Sequence, residues 1–449
     1  MSSLRRGGSL KAVILAAGEG WRLRPITSTR PKHLIPIGGK PLLDHMLSAL
    51  RNAGFKEILI VVHYGSDKIT KHFGNGSNFG LKIEYVHQPH VIGTADATKL
   101  SERYVEDDFL LVYGDLFISS NVINRVLDVY KRSKNLSPRP TVTMGAVPVE
   151  NIENYGVMKI RGSYVIDIIE KPVPGTVESN LINAGVYVFS TEIFEAIKNT
   201  KVSPRGELEI TESIRYLMRK GKPVIFAKIP RNEWLDVGNP WDFLEANRRA
   251  LSSLKTEIRG KVEEGAYIHG PVYVGERARV RSGSYIEGPV FIGGGSDIGP
   301  NCHIKAHTSI GKNVRIGNAC EIRNSIIMDD VEIGQLSYLG DSIVGVGCIL
   351  GAGSISADSL FSPETVKMNV IGKLVDTRRS SMGVVMGDYV KTGVGSLFMP
   401  GVKIGYNSWI GPNVVVQSDV PQNTILTLKQ NLMKGSQTYT KLKRKEREE

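Results

Sequence analysis

Apolar residues follow two different periods along the 449-residue chain. In the first half, continuous apolar runs alternate with segments such as Leu42 to Leu50, where apolar residues recur every three to four positions. The runs are typical of buried strands and the segments of amphipathic helices. This alternation predicts an α/β domain with a mostly parallel sheet over residues 11–250. Its first strands are predicted at Lys11–Ala17, Glu57–Tyr64 and Asp108–Asp115.

The second half, residues 251–428, has a period of six. Apolar residues recur at this spacing without a miss from Val262 to Ile322, and small or slim residues stand two positions before most of them. Neither a helix nor an alternating strand has this period, whereas a three-sided parallel β-helix turns one apolar residue inward on each short face. The pattern therefore predicts a β-helix. Its phase is expected to restart at Ile343, Ile349 and Ile355, and again at Ile404, Ile410 and Val416.

Composition narrows the class of protein. The net charge of +12 favours anionic partners, but the basic residues are not clustered beside aromatic ones, so nucleic acid is not an expected partner. No apolar run is long enough to cross a membrane. Three cysteines without a CxxC motif indicate a reduced, cytoplasmic protein, in which Cys302 and Cys320 serve packing. Residues 1–10 are expected to form a flexible leader and residues 429–449 a charged tail.

Glycines and fixed cations crowd the loop after the first strand, "LAAGEGWRLRPITSTRPK". Gly18 and Gly20 expose backbone N–H groups, Arg22 offers a planar fork, and Lys32 adds a point charge. Such a loop suits a polyanion that must approach the backbone closely. Taken singly, Arg22 and Lys32 have an alternative interpretation as surface charge.

Two carboxylates complete the candidate site. Asp115 ends the strand "VYGD", and Asp236 ends "EWLD", although a helix cap is an alternative role for Asp236. Two separated carboxylates that face a triphosphate are suited to hold Mg²⁺.

These motifs, in this order, resemble the signature of sugar-1-phosphate nucleotidylyltransferases. The resemblance continues through "VHQPHVIGTADA", "NYGV", "IIEKP", "NLINAGVYVF" and "RGELEITE". With a hexapeptide-repeat half behind it, the chain resembles the archaeal bifunctional nucleotidylyltransferase/amino-sugar-1-phosphate acetyltransferases. The resemblance implies a Rossmann-like nucleotidyltransferase domain followed by a left-handed parallel β-helix. It also implies a homotrimer.

The reaction implied by the resemblance is nucleotidyl transfer. A sugar-1-phosphate oxygen attacks the α-phosphorus of a nucleoside triphosphate in line, and pyrophosphate leaves. UTP or dTTP is favoured, because a glutamine amide pairs with the N3–H and O4 edge, although guanine stays possible. The sugar is a hexose- or N-acetylhexosamine-1-phosphate. The implied roles are catalysis for Arg22 and Lys32, Mg²⁺ binding for Asp115 and Asp236, nucleotide binding for Ala16, Gly18, Gly20, Gln88, Gly93 and Thr94, and sugar binding for Gly156, Glu170 and Asn183.

The second centre of these relatives is altered here. Their acetyl transfer from acetyl-CoA uses a histidine three residues before a tyrosine, and this chain has Gln335 before Tyr338. A carboxamide is no general base, so acetyl transfer is expected to be weak or lost. Asp358 replaces an expected asparagine, while Lys367 is retained.

Three alternatives stay open at this point. In the first alternative, Asp358 or His307 supplies the missing base, and acetyl-CoA is then a substrate. The chain could also be a non-catalytic regulatory subunit of the same layout, as in a eukaryotic translation exchange factor, but such subunits tend to lose the signature cations and carboxylates. Finally, Trp21 replaces a small hydroxyl residue, and its role is open.

Overall fold

The computed structural model describes residues 10–434 except Pro174. The predicted leader, apart from Leu10, and the predicted tail, apart from residues 429–434, lie outside the described residues. Within this part of the chain, no helix is both long and apolar enough to cross a membrane.

The first half is an α/β domain built on a nine-stranded sheet with the order β5-β4-β1-β6-β11-β8-β12-β10-β9. The strands are β1 (Lys11–Ala16), β2 (Pro36–Ile37), β3 (Lys40–Pro41), β4 (Glu57–Val62), β5 (Lys82–His87), β6 (Phe109–Tyr113), β7 (Leu116–Ile118), β8 (Val142–Pro148), β9 (Gly156–Arg161), β10 (Tyr164–Glu170), β11 (Leu181–Phe189), β12 (Val224–Lys228) and β13 (Trp234–Asp236). The helices are α1 (Leu42–Asn52), α2 (Ser66–Phe73), α3 (Thr94–Lys99), α4 (Ser120–Ser133), α5 (Glu192–Lys198), α6 (Ile210–Arg219) and α7 (Pro240–Leu251).

Helices cover both faces of this sheet. Successive residues of β1 show the arrangement, since Ile14 packs into a core with residues of α1 and α4 and Val13 into a core with residues of α3, α5 and α6. A strand buried on both sides reads as a continuous apolar run, which explains the pattern in the sequence.

The sheet is parallel only in part. Strands β5, β4, β1 and β6 are parallel, but β11 runs antiparallel between β6 and β8, and β9 and β10 form an antiparallel hairpin. The two residues between β9 and β10 are too few for a crossover and join strands only as a hairpin. The sheet is therefore mixed beyond β6.

The second half is a β-helix whose successive strands enter three parallel sheets in turn. An antiparallel hairpin, β32–β33, leaves the coils. The strands are β14 (Glu257–Ile258), β15 (Lys261–Val262), β16 (Tyr267–His269), β17 (Val272–Val274), β18 (Arg279–Val280), β19 (Tyr285–Glu287), β20 (Val290–Ile292), β21 (Asp297–Ile298), β22 (His303–Ile304), β23 (Thr308–Ile310), β24 (Arg315–Ile316), β25 (Glu321–Arg323), β26 (Ile326–Ile327), β27 (Glu332–Ile333), β28 (Tyr338–Gly340), β29 (Ile343–Val344), β30 (Ile349–Leu350), β31 (Ile355–Ser356), β32 (Lys367–Val370), β33 (Lys373–Asp376), β34 (Val385–Met386), β35 (Lys391–Thr392), β36 (Leu397–Phe398), β37 (Lys403–Ile404), β38 (Trp409–Ile410), β39 (Val415–Val416) and β40 (Ile425–Leu426). The predicted fold class, an α/β domain followed by a left-handed β-helix, is confirmed.

The predicted restart of the repeat at Ile343 was wrong by one residue. Val344 and Leu350 point into the core of the β-helix, whereas Ile349 and Ile355 are 41% exposed on its outside. Up to Ile310 partners are eighteen positions apart, but Ile310 pairs with Ile327 and Ile327 with Val344, each seventeen positions on. One corner of each of these two coils is thus a residue shorter, so the inward position on this face comes one residue earlier with each coil, at Ile327 and then at Val344. Ile343, which is also apolar, packs against the α/β domain instead.

The two domains share an apolar core. Leu23, Ile37 and Leu244 of the α/β domain pack in one cluster with Ile326 and Ile343 of the β-helix. Asn247 of α7 joins them through polar bonds as well. The three cysteines are free and buried in the β-helix, in agreement with a packing role.

Candidate active site

One hydrogen bond joins the segment after β6 to the end of β1, and another closes the loop that follows β1. Gly114 N donates to Leu15 O at the end of β1 (2.8 Å), and Thr27 Oγ1 donates to Gly20 O within the loop (2.8 Å). Gly20 has a φ of 69°, which a residue with a side chain adopts only at a cost. The loop is therefore a folded platform whose N–H groups start at the carboxyl end of β1.

Two cations converge on the carboxyl ends of the strands. Lys32 Nζ forms an ion pair with Asp115 Oδ2 and lies beside Gly18, where an added Cβ would be 3.6 Å from it. Arg22 lies against Gly238, where an added Cβ would come within 2.7 Å of Nη2. The structure thus brings Arg22 and Lys32 to one edge of the sheet.

The two carboxylates meet through a short strand pair. Strand β13 runs antiparallel to β7 with Asp236 opposite Leu116, and Val237 N donates to Asp115 O (3.0 Å). This pairing places Asp236 beside Asp115, although they lie far apart in the sequence. Ala16, buried at the end of β1, lies at the same edge.

The charges of this edge act on one another. Burial, and after it the nearby charge of Asp115, raise the pKa of Asp236 to about 7. Burial also disfavours ionisation of Asp115, but the charge and hydrogen bond of Lys32, helped by Arg22, outweigh it and lower the pKa of Asp115. One carboxylate is therefore held charged, and the other is destabilised in its charged form.

A divalent cation fits this donor set. Two buried carboxylates that repel one another are stabilised by a cation between them, and hard oxygen ligands suit Mg²⁺. In residues 10–434 without Pro174 there is no cluster of three or more histidine, cysteine, aspartate or glutamate side chains able to hold a metal. Two carboxylates supply fewer oxygen ligands than Mg²⁺ takes, so phosphate oxygens and water would complete its shell.

The residues proposed for the base lie in the next segment along the edge. Gln88 is fully buried and donates from Nε2 to Asp96 Oδ2 (2.8 Å), while its Oε1 has no hydrogen-bond partner among the described residues. Gly93 has a φ of 134°, and an added Cβ would lie 2.2 Å from Leu208 O. Thr94 Oγ1 accepts a hydrogen bond from Ile210 N (3.0 Å), so this hydroxyl ties α3 to α6.

The residues proposed for the sugar line the antiparallel side of the sheet. Gly156 is opposite Glu170 in the β9–β10 pair, and an added Cβ would lie 2.8 Å from Glu170 Oε1. Burial raises the pKa of Glu170, and Arg205 lies 3.8 Å from its carboxylate. Asn183 accepts a bond from Gly185 N (3.1 Å) and donates to the Tyr187 hydroxyl.

Sequence reasoning missed His33, which follows Lys32 directly. Its ring is fully buried against Gly114, and neither nitrogen has a hydrogen-bond partner in the described ranges. Burial and the neighbouring charge of Lys32 lower its pKa to about 3, so the ring is neutral. Its place beside Lys32 was the available signal. Trp21 is 53% exposed, with the Arg24 guanidinium 3.5 Å above the centre of its ring.

A second polar cluster lies on the outer face of the β-helix. Arg323 Nε donates to the Tyr338 hydroxyl and Nη2 to Asp358 Oδ2, both at 2.8 Å. The Tyr338 hydroxyl itself donates to Asp358 Oδ2 (2.6 Å), and burial followed by this bond raises its pKa to about 12. The polar groups of Arg323, Tyr338 and Asp358 are therefore hydrogen-bonded to one another. The sequence did not predict that Arg323 belongs to this cluster.

The other residues of the expected second centre lie outside this cluster. Gln335 is exposed, and Lys367 begins the hairpin strand β32; in the described part of the chain neither side chain bonds to Tyr338 or Asp358. Burial, and then the charge of Arg248 in α7, lower the pKa of His307. The structure thus places His307 against the α/β domain.

Comparison with known proteins follows the same division of the chain. A family model described as Nucleotidyl transferase matches residues 11–253, and one described as GMPPB C-terminal domain matches residues 286–393. A "Bifunctional protein GlmU" of Methanocaldococcus jannaschii is 40% identical over 94% of this chain and 99% of its own length.

Two further relatives match this chain, one over nearly its whole length and one over 60% of it. A "Bifunctional sugar-1-phosphate nucleotidylyltransferase/acetyltransferase" of Sulfurisphaera tokodaii is 38% identical over 92% of this chain and 98% of its own. A "Glucose-1-phosphate thymidylyltransferase" of Streptomyces griseus is 37% identical over 60% of this chain and 74% of its own. From its fold, its motifs and these matches, the chain belongs to the nucleotidyl transferase family and is a sugar-1-phosphate nucleotidylyltransferase of the GlmU-like, β-helix-bearing type.

Proposed function

We propose that this nucleotidyltransferase makes a nucleoside diphosphate sugar and pyrophosphate from UTP or dTTP and a hexose- or N-acetylhexosamine-1-phosphate, with Mg²⁺. The observation that carries the proposal is the convergence of Arg22, Lys32, Asp115 and Asp236 at one edge of the sheet. A regulatory subunit without catalysis would have no need for buried, mutually repelling carboxylates beside two cations.

In this proposal each charged residue has a separate task. Arg22 binds the departing β- and γ-phosphates through its planar fork, and Lys32 stabilises negative charge around the α-phosphorus. Asp115 and Asp236 hold Mg²⁺, which when bound neutralises phosphate charge. The chain contributes position and charge, and no covalent intermediate with the protein is needed.

The base preference rests on Gln88. Its buried Oε1 is an acceptor without a partner among residues 10–434 other than Pro174, and a buried acceptor of this kind costs free energy until a donor arrives. The N3–H of uracil or thymine supplies such a donor, which favours UTP or dTTP. Guanine also has a ring N–H, so GTP is the competitor to include in the test.

Pyrophosphate release measured with five nucleoside triphosphates and several sugar-1-phosphates, with and without Mg²⁺, tests the reaction and its specificity. We expect turnover that requires Mg²⁺ and prefers UTP or dTTP. No pyrophosphate release with any pair would contradict the proposal, and a preference for GTP would contradict the role given to Gln88.

For the β-helix we propose a role in assembly, with acetyl transfer weak or lost. The support is the Arg323–Tyr338–Asp358 cluster, whose bonds are already satisfied, together with the exposed amide of Gln335 in place of a base. In this proposal acetyl-CoA is not an efficient substrate of the protein. We also propose a homotrimer in the cytoplasm, the compartment being inferred from the free cysteines.

A further inference from the structure

One buried carboxylate of the β-helix contacts the catalytic loop of the other domain. Asp388 lies between β34 and β35, and only 2% of it is exposed. Its Oδ2 accepts hydrogen bonds from Thr29 Oγ1 and Arg30 Nη2, both at 2.5 Å, and its Oδ1 accepts one from Val346 N (2.9 Å). A buried charge needs such partners, and two of these three come from the loop between β1 and Lys32.

The loop is fixed at this point from several directions. Arg30 Nη1 lies 3.3 Å from the sulfur of Met328 in the β-helix, and Lys68 Nζ donates to Thr29 O (2.5 Å). On the other side of the contact, the Tyr64 hydroxyl donates to Thr27 O (2.9 Å). The guanidinium of Arg30 is thus held between two residues of the β-helix.

The contact is close to the reacting groups along the chain. Pro31 separates Arg30 from Lys32, and its ring limits φ, so little freedom remains between the anchored arginine and the catalytic lysine. Toward the N-terminus, Thr27 links the same segment to Gly20 through its hydroxyl (2.8 Å). A displacement of Arg30 therefore moves both Lys32 and the N–H groups near Gly20.

We propose that Asp388 is a positioning residue for nucleotidyl transfer: through Arg30 and Thr29 the β-helix sets the place of the catalytic loop. This inference rests on the nucleotide site proposed above and gives the β-helix a task in the reaction besides assembly. Small displacements of positioned groups cost large factors in rate, because the reacting atoms lose their alignment. The nucleotidyltransferase domain is accordingly incomplete without the β-helix.

The test uses the full chain and a matched pair of substitutions. Asp388→Asn keeps the shape and the bond to Val346 but removes the charge that holds Arg30. Asp341→Asn is the control, because Asp341 is also a buried β-helix aspartate paired with two arginines, Arg379 (2.8 Å) and Arg323 (3.4 Å), away from the loop. Turnover, the KM of each substrate, and hydrogen exchange of peptides covering residues 18–34 are measured for both.

We expect Asp388→Asn to lower kcat about tenfold or more, to leave the KM of the sugar-1-phosphate within about twofold, and to raise hydrogen exchange in the loop. Asp341→Asn leaves all three unchanged. Arg30→Ala lowers kcat in the same way, and adding Asp388→Asn to it causes no further loss, because both act through one contact.

Wild-type kcat and loop exchange in Asp388→Asn would overturn the inference, as would an equal loss in Asp341→Asn or full additivity with Arg30→Ala. The variant Arg22→Ala distinguishes a wrong role for Asp388 from a wrong assignment of the nucleotide site. If Arg22→Ala keeps wild-type turnover, the proposed nucleotide site is wrong; if it is inactive while Asp388→Asn is normal, only the anchor is wrong.

Discussion

Among single residues, Asp115 is the one on which the other charges of the site depend. It pairs with Lys32, and its charge is one cause of the raised pKa of Asp236. Asp115→Ala removes a proposed ligand of Mg²⁺ and the partner of the proposed catalytic lysine, Lys32, together. We expect turnover to fall by roughly two to four decades, because both effects act on charge that develops in the transition state.

Pyrophosphate release over a range of Mg²⁺ concentrations measures this loss. Asp107→Ala is the control, since Asp107 is exposed in the same segment and has no proposed role. Near-wild-type turnover of Asp115→Ala at saturating Mg²⁺ would contradict the metal assignment.

Gly93 allows a second test at this scale. A Cβ added at Gly93 would lie 2.2 Å from Leu208 O, and the residue has a φ of 134°. Gly54 has a φ of 94°, but a Cβ added there would have no other atom within 4 Å. Gly54→Ala measures the strain of a positive φ without a clash, about 1–3 kcal/mol. We expect Gly93→Ala to lose more stability than this and to raise the KM of the nucleotide, since Gly93 O accepts a hydrogen bond from Gln88 Nε2 (3.4 Å).

Urea unfolding and steady-state kinetics on the two alanine variants separate strain from the clash. Equal losses of stability in both, with an unchanged nucleotide KM for Gly93→Ala, would show that the turn beside Leu208 has no part in nucleotide binding.

The sequence could single out residues of the site but not their contacts. Arg22, Lys32 and Asp115 stand out because cations and an acid at strand ends are unusual in an apolar context. The place of Asp236 depends on the β7–β13 pair, and the bond from Ile210 to Thr94 joins elements far apart in the chain. Such pairings follow from the tertiary fold, and no local pattern encodes them.

At the scale of elements, the hexapeptide repeat predicted the β-helix, and its phase failed only at Ile343, Ile349 and Ile355, since Ile404, Ile410 and Val416 do pack in the β-helix core. The period is regular to Ile322 because each corner has the same length. The next two coils are one residue shorter, and Ile349 and Ile355 lie outside while Leu350 lies inside. Apolar residues stand on both sides of the shortened corner, so hydrophobicity alone does not distinguish the two phases.

The joint between the domains contains a buried polar side chain of α7 in addition to its apolar core. Asn247 of α7 is fully buried; its Oδ1 accepts bonds from Gly38 N (2.8 Å) and Ser309 Oγ (2.6 Å), and its Nδ2 donates to His307 O (2.8 Å). Asn247→Leu leaves these three polar groups without partners. We expect a loss of about 3 kcal/mol or more in unfolding free energy, since each of the three groups costs about 1–3 kcal/mol.

Asn124→Leu is the matched control, because Asn124 is an exposed helical asparagine of α4. Chemical unfolding of both variants measures the difference. Equal stability of Asn247→Leu and Asn124→Leu would contradict a structural role for the joint.

Gln335 and Asp358 in the β-helix are each expected to weaken acetyl transfer. Thiol release from acetyl-CoA with glucosamine-1-phosphate or galactosamine-1-phosphate is expected to be weak or absent in the wild type. Gln335→His supplies a base, but Asp358 still engages the Tyr338 hydroxyl (2.6 Å), so we expect the double variant Gln335→His, Asp358→Asn to gain more than the single one. Robust wild-type turnover, abolished by Tyr338→Ala, would contradict this reading of the centre.

At the scale of the whole molecule, the two domains form a unit in which each covers an apolar surface of the other. One sheet of the β-helix packs on the α/β domain through Ile326, Ile343 and Val385. Sequence reasoning could not locate this contact, since inward and outward apolar residues look alike in the repeat.

The outer face of a second sheet carries an apolar ladder, formed by Ile355, Leu397 and Val415 on successive coils and exposed by 38–45%. Aligned exposed side chains of this kind mark interaction surfaces. Because β-helix proteins of this type usually form trimers, we expect light scattering to give three times the chain mass of 49.3 kDa. Leu397→Glu buries a charge in the contact and is expected to yield monomers, whereas Lys391→Glu, on the neighbouring sheet of the same coil, keeps the trimer. A monomeric wild type at micromolar concentration, or an intact trimer in Leu397→Glu, would show that the ladder is not the assembly surface.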